Sequence, residues 1–262
     1  MNAKILIIIP TYDERENVGP ISAAVHKHAP DADILFVDDN SPDGTGEILD
    51  RMSAGDKRVN VLHRPGKAGL GRAYVAGFKW GLEKGYDFIF EMDADGSHDP
   101  AEIPNFLKLA ETHDLVVGTR YKGGIRVINW PLPRLLISMF AGKFVRFVTG
   151  LPVSDPTGGY KCFSRKVLED LDLDAIVSNG YSFQIELNHK TWKRGWTIGE
   201  SPIVFEDRRA GFSKFNRSIA REAFGMVWKL AASDGFRRKP RVKRATAADA
   251  AANGKGGDGK TE

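Results

Sequence analysis

The stretch KILIIIPTYDE, residues 4–14, decides how the rest of the chain is read. Its apolar half is β-branched, lacks polar alternation and stops at a proline, which predicts a strand buried on both faces of a parallel sheet. It is too short for a membrane span or a cleaved signal segment. The turn after the strand is aromatic and acidic rather than glycine-rich, so it differs from the GxGxxG turn that binds dinucleotides.

Working outward, the same alternation repeats. Residues 17–28 have helical spacing, ADILFVDD (32–39) is strand-like, and residues 45–52 suit a helix. Strands come next at 59–63, 88–92 and 115–118, with helices at 69–84 and 101–111. This rhythm predicts an α/β fold with a right-handed, mostly parallel sheet and helices on both faces. Beyond residue 118 the pattern loosens into the loop TRYKGGIRVINWPLP, an amphipathic stretch over 134–149 and a strand-like GYKCFS. No linker or internal repeat divides the chain, so residues 1–236 are expected to form one domain.

The formal charge is +4, and the excess lies from Arg237 onward, where eight Lys/Arg face three Asp/Glu. That segment carries almost no large apolar side chains, so residues 237–262 are expected to be a disordered basic tail. Its cations from Arg237 to Arg244 suit an anionic lipid surface. The near-neutral body and the absence of a recognition motif argue against nucleic acid as a partner. The single cysteine, Cys162, excludes an internal disulfide framework, fits a reducing compartment and reads as core.

In open sheets of this kind ligands bind beyond the carboxyl ends of the strands. Three of those ends are acidic: Thr11, Tyr12, Asp13 and Glu14 follow the first strand, Asp38 and Asp39 the second, and Asp93 and Asp95 the fourth. Gathered carboxylates repel one another unless a cation or donors compensate. Asp93 and Asp95, two residues apart, fit a hard cation such as Mg²⁺ or Mn²⁺ that bridges a diphosphate. Tyr12 offers a ring for a nucleobase and Asp39 an acceptor for base or ribose, while the acids from Asp13 to Glu16 also read as helix caps. Arg120, Arg134, Arg208 and Lys214 lie in loops beside glycine or aromatic residues, where arginine suits phosphate.

Taken in order, PTYDERENV, VDDNSPDGTGE, RPGKAGLGRAYVAGF, MDADGSHDP, GTRY, SDPTGGYKCFSR and DRRAGFSK resemble the family 2 glycosyltransferases. Within that family they look like the dolichol-phosphate and polyprenol-phosphate mannose synthases, over roughly residues 4–216. The resemblance implies a GT-A fold and inverting transfer of mannose from GDP-mannose to a polyprenyl phosphate with a divalent cation. Carried over, Pro10, Tyr12, Glu14, Asp38, Asp39, Asp93, Arg208 and Lys214 would bind the donor. Asp93 and Asp95 would hold the metal, and Asp95, Arg120, Arg134 and Arg208 would be catalytic. Ser97 stands where some relatives place a glutamine ligand.

Arg120 and Arg134 would hold the acceptor phosphate, and Arg208 with Ser213 and Lys214 would close over the donor diphosphate. Asp155 falls near the reacting centre, a general base were the acceptor an alcohol. Gln184 and Glu186 read as contacts to sugar or acceptor loop, or as helix caps. UDP-glucose remains an alternative donor, and a noncatalytic sugar-nucleotide-binding subunit an alternative role. Residues 133–150 and 218–236 read as interfacial helices that mix bulky apolar side chains with Arg and Lys. The expected location is therefore cytoplasmic and peripheral to the membrane, and firm anchoring, if the protein needs it, would fall to a separate subunit.

Overall fold

The computed structural model describes residues 3–206, 217–233 and 235–236. Arg208, Ser213, Lys214 and the tail from residue 237 lie outside them. Five strands, β1 (Ile5–Thr11), β2 (Asp33–Asp38), β3 (Val59–His63), β4 (Phe88–Glu91) and β5 (Leu115–Thr119), match the predicted alternation. Between them run α1 (Val18–His28), α2 (Thr45–Gly55), α3 (Leu70–Lys84) and α4 (Ile103–Ala110). The second half adds β6 (Val127–Ile128), α5 (Leu132–Thr149), β7 (Lys161–Ser164), α6 (Arg165–Asp170), α7 (Gly180–Lys193), β8 (Ile198–Pro202), β9 (Phe205–Glu206) and α8 (Arg217–Ser233).

Seven strands form one sheet in the order β3-β2-β1-β4-β7-β5-β8, parallel except for β7, which runs against both neighbours. β6 and β9 pair separately as a short parallel ribbon. Leu6 to Ile9 of β1 are wholly buried, and their alternation feeds two cores. Leu6 and Ile8 pack with Tyr74, Phe78 and Phe163, whereas Ile7 and Ile9 pack with Val18, Val25 and Phe106. Each such side chain contributes about 1.5–3 kcal/mol by leaving water. α3 lies close to β1 because Gly77 and Gly81 face it; a Cβ at Gly77 would stand 2.7 Å from Ile8.

Several local expectations shift. The helix expected over 101–111 begins as a 3₁₀ turn at Pro100–Glu102, with Asp99 accepting the Ala101 N–H at 2.9 Å. The N-cap residue of α1, Asn17, makes no side-chain cap bond and instead donates its Nδ2 to Glu14. Gln184 and Glu186 sit in the body of α7, where neither is a cap. Cys162 is buried in β7 as expected.

Candidate active site

The carboxyl ends of β1, β2 and β4 lie side by side in the sheet, which gathers the three acidic loops. Two of those loops turn through residues with left-handed backbone, Asp13 (φ 62°) and Asn40 (φ 58°), a conformation that Asp and Asn tolerate better than most side chains. Asp38 is spent on loop architecture: it accepts the Ser41 hydroxyl at 2.6 Å and the Thr11 hydroxyl at 3.3 Å. Glu14 accepts Asn17 Nδ2 at 2.6 Å, and its N–H donates to Thr45 Oγ1 at 3.1 Å. Pro10 remains in β1, paired with Val37 of β2.

Asp39 is buried and accepts Arg64 Nη1 at 2.6 Å. Burial outweighs that guanidinium and raises its carboxyl above the usual range. Tyr12 is half-buried, with Lys67 Nζ 3.7 Å from its ring centroid. A ring and a buried carboxylate on adjoining loops, each attended by a cation, suit a base and sugar carried by phosphates.

At the end of β4, Asp93 is fixed from two sides. The buried Tyr74 hydroxyl donates to its Oδ1 at 3.1 Å, and its N–H donates to His98 Nδ1 at 3.1 Å. Burial lowers the His98 pKa, so the ring is neutral and, with Nδ1 accepting, carries its proton on Nε2. His98 also stacks on Tyr160 at 4.9 Å. Asp95 Oδ1 accepts the Ser97 N–H at 3.0 Å.

Among the described residues no three of His, Cys, Asp and Glu converge as a ready-made metal cage. Two carboxylates nevertheless fit Mg²⁺ or Mn²⁺, which usually arrive with substrate phosphates and retain waters. The buried Ser97 hydroxyl beside Asp95 has no hydrogen-bond partner, and a water carried by such a cation would satisfy it. Beneath this edge lie Glu91 and Lys161, directly opposed across β4 and β7 and both 0 % exposed. Lys161 donates to Gln184 and, at 3.4 Å, to Glu91. Burial pushes the Glu91 carboxyl up to about 7 against the attraction of Lys161, whose own pKa burial lowers.

Across the site, Arg120 is only 6 % exposed and forms a bidentate pair with Asp155, Nε to Oδ2 at 2.6 Å and Nη2 to Oδ1 at 2.7 Å. Nη2 also donates to Thr157 Oγ1 at 2.9 Å. Burial raises the Asp155 carboxyl, but the charge and donors of Arg120 outweigh it and hold it below the usual range. Asp155 is thus a bound carboxylate, not a poised base. The Arg120 guanidinium lies 5.2 Å from the Trp130 ring, and that of Arg134, in the first turn of α5, lies 4.2 Å from it.

The rest of α5 presents Leu132, Leu136, Ile137, Phe140 (67 % exposed) and Phe147 (72 %) to solvent, with Lys143 and Arg146 among them. Phe144 stacks on Phe224 of α8 at 4.8 Å, next to the exposed Trp228. Among the described residues no helix is long and apolar enough to cross a membrane.

The family description Glycosyl transferase family 2 matches residues 6–172, which carry both the acidic edge and the Arg120–Asp155 pair. The chain belongs to that family. It is a family 2 glycosyltransferase with a GT-A-like fold. It is 48% identical to the polyprenol monophosphomannose synthase of Mycolicibacterium smegmatis over 86% of this chain and 85% of the relative. It is 45% identical to the undecaprenyl-phosphate mannosyltransferase of Micrococcus luteus over 90% of this chain and 98% of the relative. Among solved structures, glucosyl-3-phosphoglycerate synthase of Mycobacterium tuberculosis, in complex with Mn²⁺, UDP and glucosyl-3-phosphoglycerate, superposes with TM-score 0.65 at 16% identity, over 90% of this chain and 81% of that one. A mannosyltransferase of Pyrobaculum calidifontis, in complex with GDP-Man and Mn²⁺, gives 0.54 at 16% identity, over 98% and 77%.

Pro10, Tyr12, Glu14, Asp38, Asp39, Asp93 and Asp95 of this glycosyltransferase occupy the adjoining ends of three strands, with Arg120 and Arg134 converging on Trp130. Sequence reasoning missed His98, Tyr74 and Trp130 as supports. It also passed over the Glu91–Lys161 pair, whose signal was a charge inside each of two otherwise apolar strands.

Proposed function

We propose that this glycosyltransferase transfers mannose, with inversion, from GDP-mannose to a polyprenyl phosphate held at a membrane surface. One observation carries the reading: α5 begins with Arg134 in its first turn and continues as an exposed apolar face, so one helix offers a cation to a phosphate and a surface to its hydrocarbon chain. The names of the two relatives, both acting on polyprenyl phosphates by mannosyl transfer, support the acceptor class. The Pyrobaculum mannosyltransferase bound to GDP-Man supports the donor.

In this reading Tyr12 stacks on the base and Asp39 accepts from base or ribose. Asp93 and Asp95 hold Mg²⁺ or Mn²⁺, which when bound neutralises charge on the departing diphosphate. Tyr74 and His98 keep Asp93 in place, so little reorganisation is needed when substrate arrives. Arg120 and Arg134 hold the acceptor phosphate. A phosphomonoester is largely dianionic at pH 7, its second pKa lying near about 6, so its oxygen attacks the anomeric carbon without a base. Attack in line behind the departing diphosphate inverts that carbon. Arg208, Ser213 and Lys214 complete the donor side, and the cations from Arg237 to Arg244 add attraction for anionic lipid.

Donor competition tests this directly. With undecaprenyl phosphate as acceptor, unlabelled GDP-mannose is expected to suppress product from labelled GDP-mannose, while UDP-glucose at the same concentration is not. Equal suppression by UDP-glucose, with glucolipid formed, would move the assignment to the other donor.

A further inference from the structure

Trp130 is tied down by its neighbours. Asn129 turns the chain through a left-handed φ of 62°, and Pro131 restricts the residue before it to extended backbone. Phe205 of β9 meets the indole edge-on at 5.7 Å and 79°, and β9 is itself paired with β6 a few residues upstream of Trp130. The indole Nε1–H is buried and has no hydrogen-bond partner. The ring is thus constrained by the backbone on either side and by the edge-on contact with Phe205.

It presents its π-system to two cations. Arg134 Cζ stands 4.2 Å from the ring centroid and Arg120 Cζ 5.2 Å. Asp155 answers the charge of Arg120, and the electron-rich indole face adds attraction for the Arg134 guanidinium beside it. Asp155 clamps Arg120 from behind, and Arg134, in the first turn of α5, lies over the indole.

We propose that Trp130 is a positioning residue whose ring face sets the Arg134 guanidinium at the spacing from Arg120 that accepts a phosphate dianion. This rests on the reading of the two arginines as the acceptor-phosphate site. It assigns to Trp130 no contact with the reacting atoms. Its loss acts on acceptor binding through Arg134, and the donor side is untouched.

The test uses the full-length chain with GDP-mannose, Mn²⁺ and undecaprenyl phosphate in detergent, and compares wild type, Trp130→Leu, Trp130→Phe, Arg134→Ala and the double variant Trp130→Leu/Arg134→Ala. Trp130→Leu is expected to raise the acceptor KM about tenfold, the scale of one partly desolvated cation–π contact. The donor KM is expected to stay within about twofold. Trp130→Phe, which keeps a ring face, should recover most of the loss, and the double variant should be no worse than Arg134→Ala. Should the leucine variant fail to fold, fluorinated tryptophan placed at position 130 weakens the face without changing shape, and the acceptor KM should climb with fluorine count.

An unchanged acceptor KM in Trp130→Leu or with fluorination, beside a raised one in Arg134→Ala, would overturn the role of Trp130 alone. Multiplying effects in the double variant, or no recovery by phenylalanine, would do the same. An Arg134→Ala variant with wild-type acceptor KM would instead overturn the acceptor-phosphate reading, and the inference with it.

Discussion

Arg120 and Asp155, thirty-five residues apart in sequence, form a buried bidentate pair with N···O distances of 2.6 and 2.7 Å. The arginine end of the site is therefore held by a carboxylate that cannot also take a proton from substrate. Removing one member of such a pair leaves the other charged, buried and unsatisfied, which costs about 3–5 kcal/mol. Asp155→Ala is expected to lose that much in urea unfolding, whereas a general-base role would show as lost turnover with stability intact.

The same pair sets an acid limit. The Asp155 carboxyl is held below its ordinary value, so its contribution to stability is present in full above the unfolded value of about 3.9 and is lost as pH falls through the lower folded one. The difference in unfolding free energy between wild type and Asp155→Asn is expected to be constant from pH 5 to 8, within about 0.5 kcal/mol, and to shrink below pH 4. A difference that grows on acidification would contradict the pairing.

Glu91 and Lys161 make another buried pair, under the acidic edge. Lys161→Met alone is expected to destabilise by about 3–5 kcal/mol, because it strands the Glu91 carboxyl. Adding Glu91→Leu should recover most of the loss, since an apolar pair of similar volume replaces an ionic one at little net change. Chemical denaturation of the two single variants and the double variant reads this out.

Phe140 and Phe147 lie on the exposed face of α5. Phe140→Glu and Phe147→Glu are expected to leave the melting temperature within about 2 °C, because neither side chain is in the core. Each should weaken flotation with phosphatidylglycerol vesicles about tenfold, the scale of one phenylalanine withdrawn from an apolar environment. Activity on detergent-dispersed acceptor should persist.

The sheet was largely legible in the sequence because its first strands are apolar runs bounded by proline, glycine or acids, and their helices carry clear 3.6-residue spacing. That their acidic carboxyl ends gather at one edge was legible from residue types and strand order alone. The direction of β7 was not legible: GYKCFS reads as a strand either way, and only the route of the preceding chain decides that it runs against β4 and β5. α5 begins before Arg134 because Pro131 and Pro133 start the helix rather than end a loop. Pairings such as Arg120 with Asp155, or Trp130 with two arginines, join distant segments and leave no local periodicity. A charge inside each of the apolar strands at Glu91 and Lys161 did leave a trace, since such charges persist only when paired.

The most direct measurement is transfer of radiolabelled mannose from GDP-mannose to undecaprenyl phosphate by wild type and Asp95→Ala, each with Mn²⁺ and with EDTA. Extractable mannolipid is expected from wild type with Mn²⁺, to be abolished by EDTA and to fall at least about a hundredfold in Asp95→Ala, which removes charge stabilisation of the leaving diphosphate. Folded wild-type protein that forms no mannolipid, or forms as much with EDTA and with Asp95→Ala, would contradict the account.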